Sequence, residues 1–250
     1  MKKIVKKIFQ SFDYDIVKTS KGDNFPGDFN DDHKRIIKLV EPFTMTSRAR
    51  LFSLIEAVKY ISKHNIEGDI VECGVWKGGS MLAVSEVLTS LKDTNRDLYL
   101  YDTFEGMSEP TEYDKTAENA KASTLMKEDE NKEANEVWAY ATLDTVKKTM
   151  AISSYNPERI HYVKGKVEDT IPQTLPEKIA LLRLDTDWYE STHHELVHLF
   201  PLLATGGILI IDDYGYWQGA KKAVDEYFQG KEPRIFLSRV DDTARIAVKH

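Results

Sequence analysis

The sequence predicts an open, doubly wound α/β domain built on a mostly parallel sheet of seven strands. Short apolar strands alternate with helices from Gly68 onward, and glycines or acidic residues follow the strands. The strands are near-continuous apolar runs, which is typical of parallel strands that are covered on both faces. With 250 residues, of which 41% are hydrophobic and 30% charged, the chain is long enough for one such domain with insertions.

Five apolar segments predict the parallel strands, and two shorter segments predict an antiparallel hairpin at the end of the chain. The predicted strands cover residues 69–73, 97–102, 159–163, 178–185, 207–212, 234–238 and 244–249. Thr46 or Ser47 is the predicted N-cap of a helix that runs to about His64 and has one apolar face. Further helices are predicted over residues 80–91, 192–203 and 219–228.

The first 41 residues are predicted to form a helical appendage to a domain that spans residues 42–250. Residues 1–10 alternate pairs of lysines with apolar residues, as in a short basic amphipathic helix. Such a helix docks on its own protein or makes weak peripheral contact with an anionic membrane, and docking is the simpler expectation. The lysines interrupt the apolar run, which is not the pattern of a signal peptide, and no apolar stretch reaches membrane-spanning length.

Charge and cysteine content narrow the function classes. The formal net charge is −7, whereas a protein that follows nucleic-acid phosphates needs a basic surplus, so we expect no nucleic-acid partner. Cys73 is the single cysteine of the chain, which excludes an intrachain disulfide and a cysteine-based zinc site. This cysteine usage is typical of a reducing compartment, and we expect a cytoplasmic protein.

An acidic insertion interrupts the alternation of strands and helices at residues 108–138. It follows the carboxyl end of a predicted strand, where insertions of this length are commonly functional. We expect the insertion to cover the ligand crevice as a lid. A solvated helix that only decorates the surface would have the same composition.

Acidic residues follow four of the predicted parallel strands, at the edge where open α/β sheets bind ligands. Glu72 precedes a glycine-rich loop that runs to Ser80, and Asp102 ends the second strand. The loop lacks the G-x-G-x-x-G pattern of dinucleotide sites, and its acid suits a ligand that carries an ammonium and a sulfonium. Ser80 and the helix N-terminus that follows suit a carboxylate, and Asp102 suits ribose hydroxyls.

Three aspartates at the ends of the fourth and fifth strands predict a divalent-cation site. Asp185 follows one strand, Asp212 and Asp213 follow the other, and neighbouring strands lie about 5 Å apart. Carboxylate oxygens without histidine or cysteine ligands fit Mg²⁺. Asp187 is predicted to be the base that takes a proton from a substrate hydroxyl. Arg183, inside the apolar fourth strand, is expected to pair with a buried carboxylate.

These motifs resemble the macrocin O-methyltransferase family, whose bacterial members methylate sugar hydroxyls on macrolide and aminocoumarin antibiotics. The resemblance runs from about Pro42 to Phe228 and rests on five segments. They are TMTS at 44–47, GDIVECGVWKGGS at 68–80, YDTFEG at 101–106, DTDWYEST at 185–192 and GGILIIDDY at 206–214. The resemblance implies a class I methyltransferase fold, S-adenosylmethionine and Mg²⁺ as cofactors, and a homodimer or larger homo-oligomer.

Carried over by position, the resemblance implies roles for individual residues. Asp185, Asp212 and Asp213 are the implied metal ligands, and Asp187 is the implied base. The implied cofactor contacts are Met45, Ser47, Arg50, Glu72, Gly74, Ser80, Asp102, Thr103 and Glu168. The implied reaction is Mg²⁺-assisted methyl transfer to a hydroxyl of a small-molecule or glycan acceptor. That acceptor is expected to be a sugar in a glycoside natural product or in a surface-glycan precursor.

Rival functions stay open at this point. A catechol-type O-methyltransferase acting on a phenol would use the same metal site, because a catechol and a vicinal sugar diol both present two adjacent hydroxyls. A metal-dependent nucleotide-sugar glycosyltransferase also carries an Asp-x-Asp motif, but there we expect neither the acidic glycine loop nor a second pair of aspartates. An NAD(P) oxidoreductase would need the missing dinucleotide pattern, and a nucleoside-binding module without catalysis would have little need of the aspartates.

Overall fold

The structure is a computed structural model that describes residues 25–128, 131, 136–232 and 234–250. The predicted basic helix at residues 1–10 lies outside the described residues. The helices are α1 (Asp31–Val40), α2 (Arg48–Lys63), α3 (Gly79–Leu91), α4 (Ala122–Glu128), α5 (Leu143–Met150), α6 (Val167–Thr170), α7 (Tyr189–Leu199) and α8 (Gln218–Phe228). The strands are β1 (Asp69–Cys73), β2 (Leu98–Asp102), β3 (Ile160–Lys164), β4 (Ile179–Leu184), β5 (Leu203–Ile211), β6 (Ser238–Arg239) and β7 (Arg245–Val248).

Within the described residues, seven strands form one sheet in the order β3-β2-β1-β4-β5-β7-β6. The first five of these pair in parallel, with β1 between β2 and β4. Strand β7 pairs antiparallel with both β5 and β6, which confirms the predicted hairpin at the end of the chain. The direction of winding reverses between β1 and β4, so a ligand crevice is expected beyond the carboxyl ends of these strands. The predicted doubly wound fold is confirmed.

The parallel strands are apolar on both faces because helices cover both faces of the sheet. Ile70 and Leu181 lie in the core that contains the apolar residues of α1, α2 and α3. Their neighbours in sequence, Val71 and Leu182, lie in the opposite core, which contains the apolar residues of α7 and α8. Burial on both sides explains why the sequence pattern of each strand is continuous instead of alternating.

Helix α1 belongs to the predicted N-terminal appendage, and the structure shows why its polar sequence folds. The Asn30 side chain accepts from the backbone N–H of His33 (2.9 Å), and the His33 ring accepts from the backbone N–H of Asn30 (3.2 Å). Ile36 and Val40 place the apolar face of the helix in the core above the sheet. The described part of the appendage therefore shares the core of the domain. Among the described residues, no helix is long and apolar enough to cross a membrane.

Three elements begin at least three residues from their predicted starts, namely α7, β5 and β6, and β6 begins at Ser238 instead of residue 234. Helix α7 begins at Tyr189 instead of residue 192, because its first amide donates to a carboxylate of the insertion, that of Asp114 (2.8 Å). Strand β5 begins at Leu203 instead of residue 207. Thr205 and Gly206 resemble a turn in the sequence, which is why the strand was predicted to begin after them. In the structure the β4–β5 ladder continues past these two residues with an irregular register.

Candidate active site

A cavity of about 370 Å³ opens beyond the carboxyl ends of the parallel strands. Most of the residues that were predicted to bind the cofactor or a metal share its lining. They are Met45, Arg50, Gly74, Ser80, Asp102, Thr103, Glu168, Asp185, Asp187, Asp212 and Asp213. The insertion, the residue that precedes it and the turn after β5 contribute a more apolar part of the wall. That part includes Met107, Ser108, Val137, Tyr216 and Trp217.

Gly74 allows the loop after β1 to approach the end of β4. Its backbone has a φ of +82°, and a Cβ atom at this position would lie 2.1 Å from the carbonyl oxygen of Asp185. The two loops are also joined by a hydrogen bond of 2.8 Å from the Asp185 amide to the Cys73 carbonyl. The predicted cofactor loop and the first predicted metal ligand are therefore in direct contact.

Asp102 shapes the cofactor loop from the end of β2. One carboxylate oxygen accepts from the backbone amides of Val75 (2.7 Å) and Trp76 (3.1 Å), and the other accepts from the Phe104 amide (2.6 Å). Burial outweighs these hydrogen bonds and raises the pKa of Asp102. A carboxylate offers about four acceptor positions. Asp102 therefore keeps about one position for a ligand hydroxyl while it holds the loop in place.

Three carboxylates form an acidic cluster at the ends of β4 and β5. Asp185, Asp187 and Asp213 each place a carboxylate oxygen within 4.8 Å of the other two. Burial, and after it the charge of Asp185, raises the pKa of Asp187 to about 7. Burial also raises the pKa values of Asp185 and Asp213 well above the usual aspartate range, and neighbouring aspartates add to this effect. A cation among the three would relieve both the desolvation and the repulsion.

Asp212, the remaining predicted metal ligand, is held by two arginines. Its Oδ1 atom accepts from Arg183 Nη2 (2.7 Å), and its Oδ2 atom accepts from Arg50 Nη1. Asp187, the predicted base, is the third member of the acidic cluster. The assignment of Asp185, Asp212 and Asp213 as metal ligands and of Asp187 as the base stays a prediction.

Arg183 is the buried counter-charge of the site, and its predicted carboxylate partner is confirmed. The sheet register pairs Arg183 with Glu72, and Nη1 donates to Glu72 (2.5 Å) and to Asp185 (2.8 Å). Nη2 donates to Asp212 and to the Thr46 hydroxyl (3.0 Å). Burial disfavours the charged guanidinium, but the carboxylates outweigh burial and raise the pKa of Arg183. Glu72, a predicted cofactor contact, lies behind Arg183 and outside the cavity lining.

Ser47 and Arg50 connect α2 to the turn between β6 and β7. The Ser47 hydroxyl caps α2 by accepting from the Arg50 amide (3.3 Å), and it donates to Asp241 (2.9 Å). Arg50 Nε donates to the same Asp241 oxygen (2.9 Å). Burial opposes the ionisation of Asp241, but the amides of Ala244 and Thr243 together with Ser47 and Arg50 lower its pKa to about 2. Ser47, a predicted cofactor contact, therefore supports Arg50 from outside the cavity lining.

The insertion packs on the loops that carry the aspartates. The indole N–H of Trp188 donates to the Ser108 carbonyl (3.0 Å), and the rings of Trp188 and Trp217 meet edge to face with centroids 4.9 Å apart. Ala122 and Met126 of α4 lie in the same buried apolar cluster as these tryptophans. The described part of the insertion is therefore a packed wall of the cavity. Its action as a lid stays a prediction.

The sheet order, the glycine loop after β1 and the acid at the end of β2 define the class of the protein: it has the class I methyltransferase fold. A solved structure of the same fold is that of the O-methyltransferase NovP. It is 28% identical in sequence and superposes with a TM-score of 0.72 over 83% of this chain and 82% of that chain.

Sequence comparisons define the family. The model of the macrocin-O-methyltransferase (TylF) family matches residues 6–247. The 8-demethyl-8-(2,3-dimethoxy-alpha-L-rhamnosyl)-tetracenomycin-C 4'-O-methyltransferase of Streptomyces olivaceus is 34% identical over 184 residues, 74% of this chain and 67% of that protein. The demethyldecarbamoylnovobiocin O-methyltransferase of Streptomyces niveus is 31% identical with the same coverage of both chains. The chain belongs to the macrocin O-methyltransferase family and is an S-adenosylmethionine-dependent O-methyltransferase.

Proposed function

We propose that this enzyme methylates a sugar hydroxyl and that Mg²⁺ assists the transfer. The observation that carries the proposal is the acidic cluster, Asp185, Asp187 and Asp213, on the wall of the cavity that the predicted cofactor residues also line. The relative from Streptomyces olivaceus is named for a substrate with a rhamnosyl group, which supports a sugar acceptor. A phenolic acceptor, as in catechol-type enzymes, is the alternative.

The acidic cluster fits a divalent cation. All three groups are carboxylates, whose oxygens are the donors that suit Mg²⁺. Asp185 and Asp213 are the proposed ligands on which sequence pattern and geometry agree. Asp187 or Asp212 would supply a third carboxylate, and Asp212 would first have to exchange an arginine partner. When bound, Mg²⁺ supplies positive charge that favours the deprotonated form of an acceptor hydroxyl.

The loop after β1 and the end of β2 form the proposed cofactor half of the cavity. Asp102 has an acceptor position left for a ribose hydroxyl. Ser80, in the first turn of α3, and Arg50 suit the carboxylate of the methionine end. S-adenosylmethionine supplies an activated methyl group and leaves as S-adenosylhomocysteine. The task of these residues is to hold the cofactor in one orientation, with the methyl group facing the acidic cluster.

Asp187 is the proposed base. It lines the cavity, and its backbone has a φ of +69°, in the left-handed region, at the turn between β4 and α7. In the proposed reaction the acceptor oxygen forms a bond to the methyl carbon while the methyl–sulfur bond breaks. The hydroxyl proton passes to the Asp187 carboxylate, and a methyl ether is the product.

The apolar part of the cavity wall suits the body of an acceptor. Met107, just before the insertion, and Val137 within it line the cavity together with Trp217. At its mouth, Tyr216 is 43% exposed and Met45 is 48% exposed. An apolar wall in the same cavity as the acidic cluster fits a glycoside whose sugar enters and whose larger part stays at the mouth.

Transfer of a labelled methyl group tests the proposal. Glycosides with vicinal diols and matched catechols are incubated with labelled S-adenosylmethionine, each with Mg²⁺ and with an excess of EDTA. We expect label on a glycoside in the presence of Mg²⁺ only. Label on catechols alone would favour the alternative acceptor, and transfer that is indifferent to EDTA would remove the metal from the account.

A separate titration identifies the third ligand. Mn²⁺ binding is measured for the wild type, Asp187→Asn and Asp212→Asn, with Mn²⁺ as a spectroscopic probe for Mg²⁺. The variant that lacks a true ligand binds Mn²⁺ about tenfold or more weakly, a difference of about 1.4 kcal/mol. The other variant keeps the affinity of the wild type.

A further inference from the structure

The insertion contains a buried aspartate, Asp114, whose carboxylate contacts residues outside the insertion. Asp114 is 1% exposed, and its Oδ2 atom accepts from the backbone amide (2.6 Å) and the hydroxyl (2.8 Å) of Thr111 within the insertion. Its Oδ1 atom accepts from the backbone amide of Tyr189 (2.8 Å), the first residue of α7. One buried side chain therefore links the insertion to the segment that follows the acidic residues of β4.

The bond to Tyr189 replaces a local helix cap. Among the described residues, the side chain of Trp188, which occupies the N-cap position of α7, does not supply the capping hydrogen bond. Asp114 supplies it from a distant part of the chain and places a negative charge at the positive end of the helix. The start of α7 is therefore determined by the docking of the insertion.

The capped residue follows the proposed base by two positions. Asp187 has a φ of +69°, a left-handed conformation that persists only where the surroundings hold it. The insertion holds the chain at both of the next two residues: the Ser108 carbonyl accepts from the Trp188 indole, and Asp114 accepts from the Tyr189 amide. The direction of the Asp187 side chain therefore depends on contacts that the insertion supplies.

The Asp114 carboxylate also lies against the start of α8, the helix that follows β5. Gly219 is the second residue of α8, and a Cβ atom there would lie 1.9 Å from Asp114 Oδ1. Beside it, the Gln218 amide donates to the Lys115 carbonyl (2.8 Å). Asp114 therefore lies between the starts of α7 and α8, the two helices that follow Asp187 and Asp213.

We propose that Asp114 is a positioning residue that sets the distance between the carboxylates of Asp187 and Asp213. It does so by fixing the start of α7 against the start of α8, and Gly219 leaves the space that this requires. The significance of that distance for cation binding rests on the proposed function, in which the negative charge of Asp187 faces the cation. The insertion thus has a second role besides lining the cavity: it holds the carboxylates of the acidic cluster in position.

Mn²⁺ binding and S-adenosylhomocysteine binding, each measured by titration calorimetry, separate positioning from general folding. Asp114→Ala removes the carboxylate that accepts from the Tyr189 amide. Gly219→Ala displaces this carboxylate while leaving Asp114 in the chain. We expect both variants to bind Mn²⁺ about tenfold more weakly than the wild type and to keep the cofactor affinity within about twofold. The double variant should be no weaker than Asp114→Ala alone, because both changes break the same contact.

Two further variants test the contact. Asp114→Asn keeps an oxygen for only one of the two backbone amides, that of Tyr189 or that of Thr111, and should bind Mn²⁺ with an affinity between those of the wild type and Asp114→Ala. Thr111→Val removes two hydrogen bonds inside the insertion, one to Asp114 and one from the Tyr113 amide, but leaves the bond between Asp114 and Tyr189. This variant is the control and should bind Mn²⁺ like the wild type. The role of Asp114 is overturned if Asp114→Ala binds Mn²⁺ as tightly as the wild type. It is also overturned if Thr111→Val loses as much Mn²⁺ affinity as Asp114→Ala does. A wild type that binds the cofactor but no Mn²⁺ overturns the proposed metal site and this inference with it.

Discussion

Replacing Arg183 with methionine should destabilise the domain by about 3–5 kcal/mol, the usual cost of removing one partner from a buried ion pair. Arg183 is 3% exposed and donates to Glu72, which is 1% exposed, and to Asp212, which is 3% exposed. Methionine fills much of the volume but leaves these carboxylates buried without their counter-charge. Asp185 loses a partner as well, but its side chain is 25% exposed and contributes less.

The loss of stability should depend on pH. Burial raises the pKa of Glu72 to about 7 even though Arg183 favours its charged form. Without Arg183 this pKa rises further above the unfolded value of about 4.3. The folded variant then holds a proton that the unfolded chain releases, so its stability falls as the pH rises from the unfolded to the folded pKa. The deficit relative to the wild type should be smaller at about pH 5 than at about pH 8.

Urea denaturation at the two pH values measures both effects. Lys178→Met is the matched control, because it breaks an exposed ion pair with Glu67 (2.8 Å) in which water already screens the charges. This control should leave the unfolding midpoint nearly unchanged at either pH. An Arg183→Met variant within about 1 kcal/mol of the wild type at about pH 8 would refute the claim that the guanidinium compensates buried charge.

Two further substitutions test the two halves of the cavity separately. Asp102→Ala leaves two backbone amides of the cofactor loop and the Phe104 amide without their acceptor, and it should weaken S-adenosylhomocysteine binding about tenfold in calorimetry, with Mn²⁺ binding unchanged. Unaltered cofactor affinity would contradict its assignment. Asp187→Asn should keep cofactor affinity within about twofold and lower methyl transfer by about 10²–10⁴-fold in the labelled assay. Near-normal turnover would exclude Asp187 as the base.

The strand positions were predictable because each buried parallel strand is an apolar run that ends at a polar residue. Strand β1 covers the predicted residues, and β2, β3 and β4 differ by one residue at one or both ends. Strand β5 was predicted too short because Thr205 and Gly206 break its apolar run. The ladder accommodates them through an irregular register, which depends on pairing with β4 and not on local sequence.

The membership of the acidic cluster was harder to predict. The register of β5 against β4 places Asp185, Asp212 and Arg183 on one face of the sheet, so strand pairing alone favours Asp212 as the neighbour of Asp185. Both Asp212 oxygens accept from arginines, whereas Asp213, beyond the paired end of β5, places an oxygen near Asp185. The residue numbers do not show this, because Arg50, one of the two arginines, comes from a distant helix.

Other contacts of the site depend on tertiary docking. Asp241 holds Arg50 and Ser47 from the turn between β6 and β7, and Asp114 caps α7 from the insertion. Both residues are far in sequence from the groups they bind. Sequence rules for helix caps and ion pairs consider neighbours within a few residues, so they do not detect such partners. For Asp241, the sequence offered one indication: two consecutive aspartates, at 241 and 242, in the predicted hairpin turn.

The location of a bound cation tests the central claim most directly. Crystals of the enzyme grown with S-adenosylhomocysteine and Mn²⁺ are measured at the manganese absorption edge, and the anomalous difference map gives the position of the ion. We expect a peak between the ends of β4 and β5, with oxygens of Asp185 and Asp213 at about 2.0–2.3 Å. A fully occupied cofactor together with no manganese peak between these two carboxylates would contradict the account.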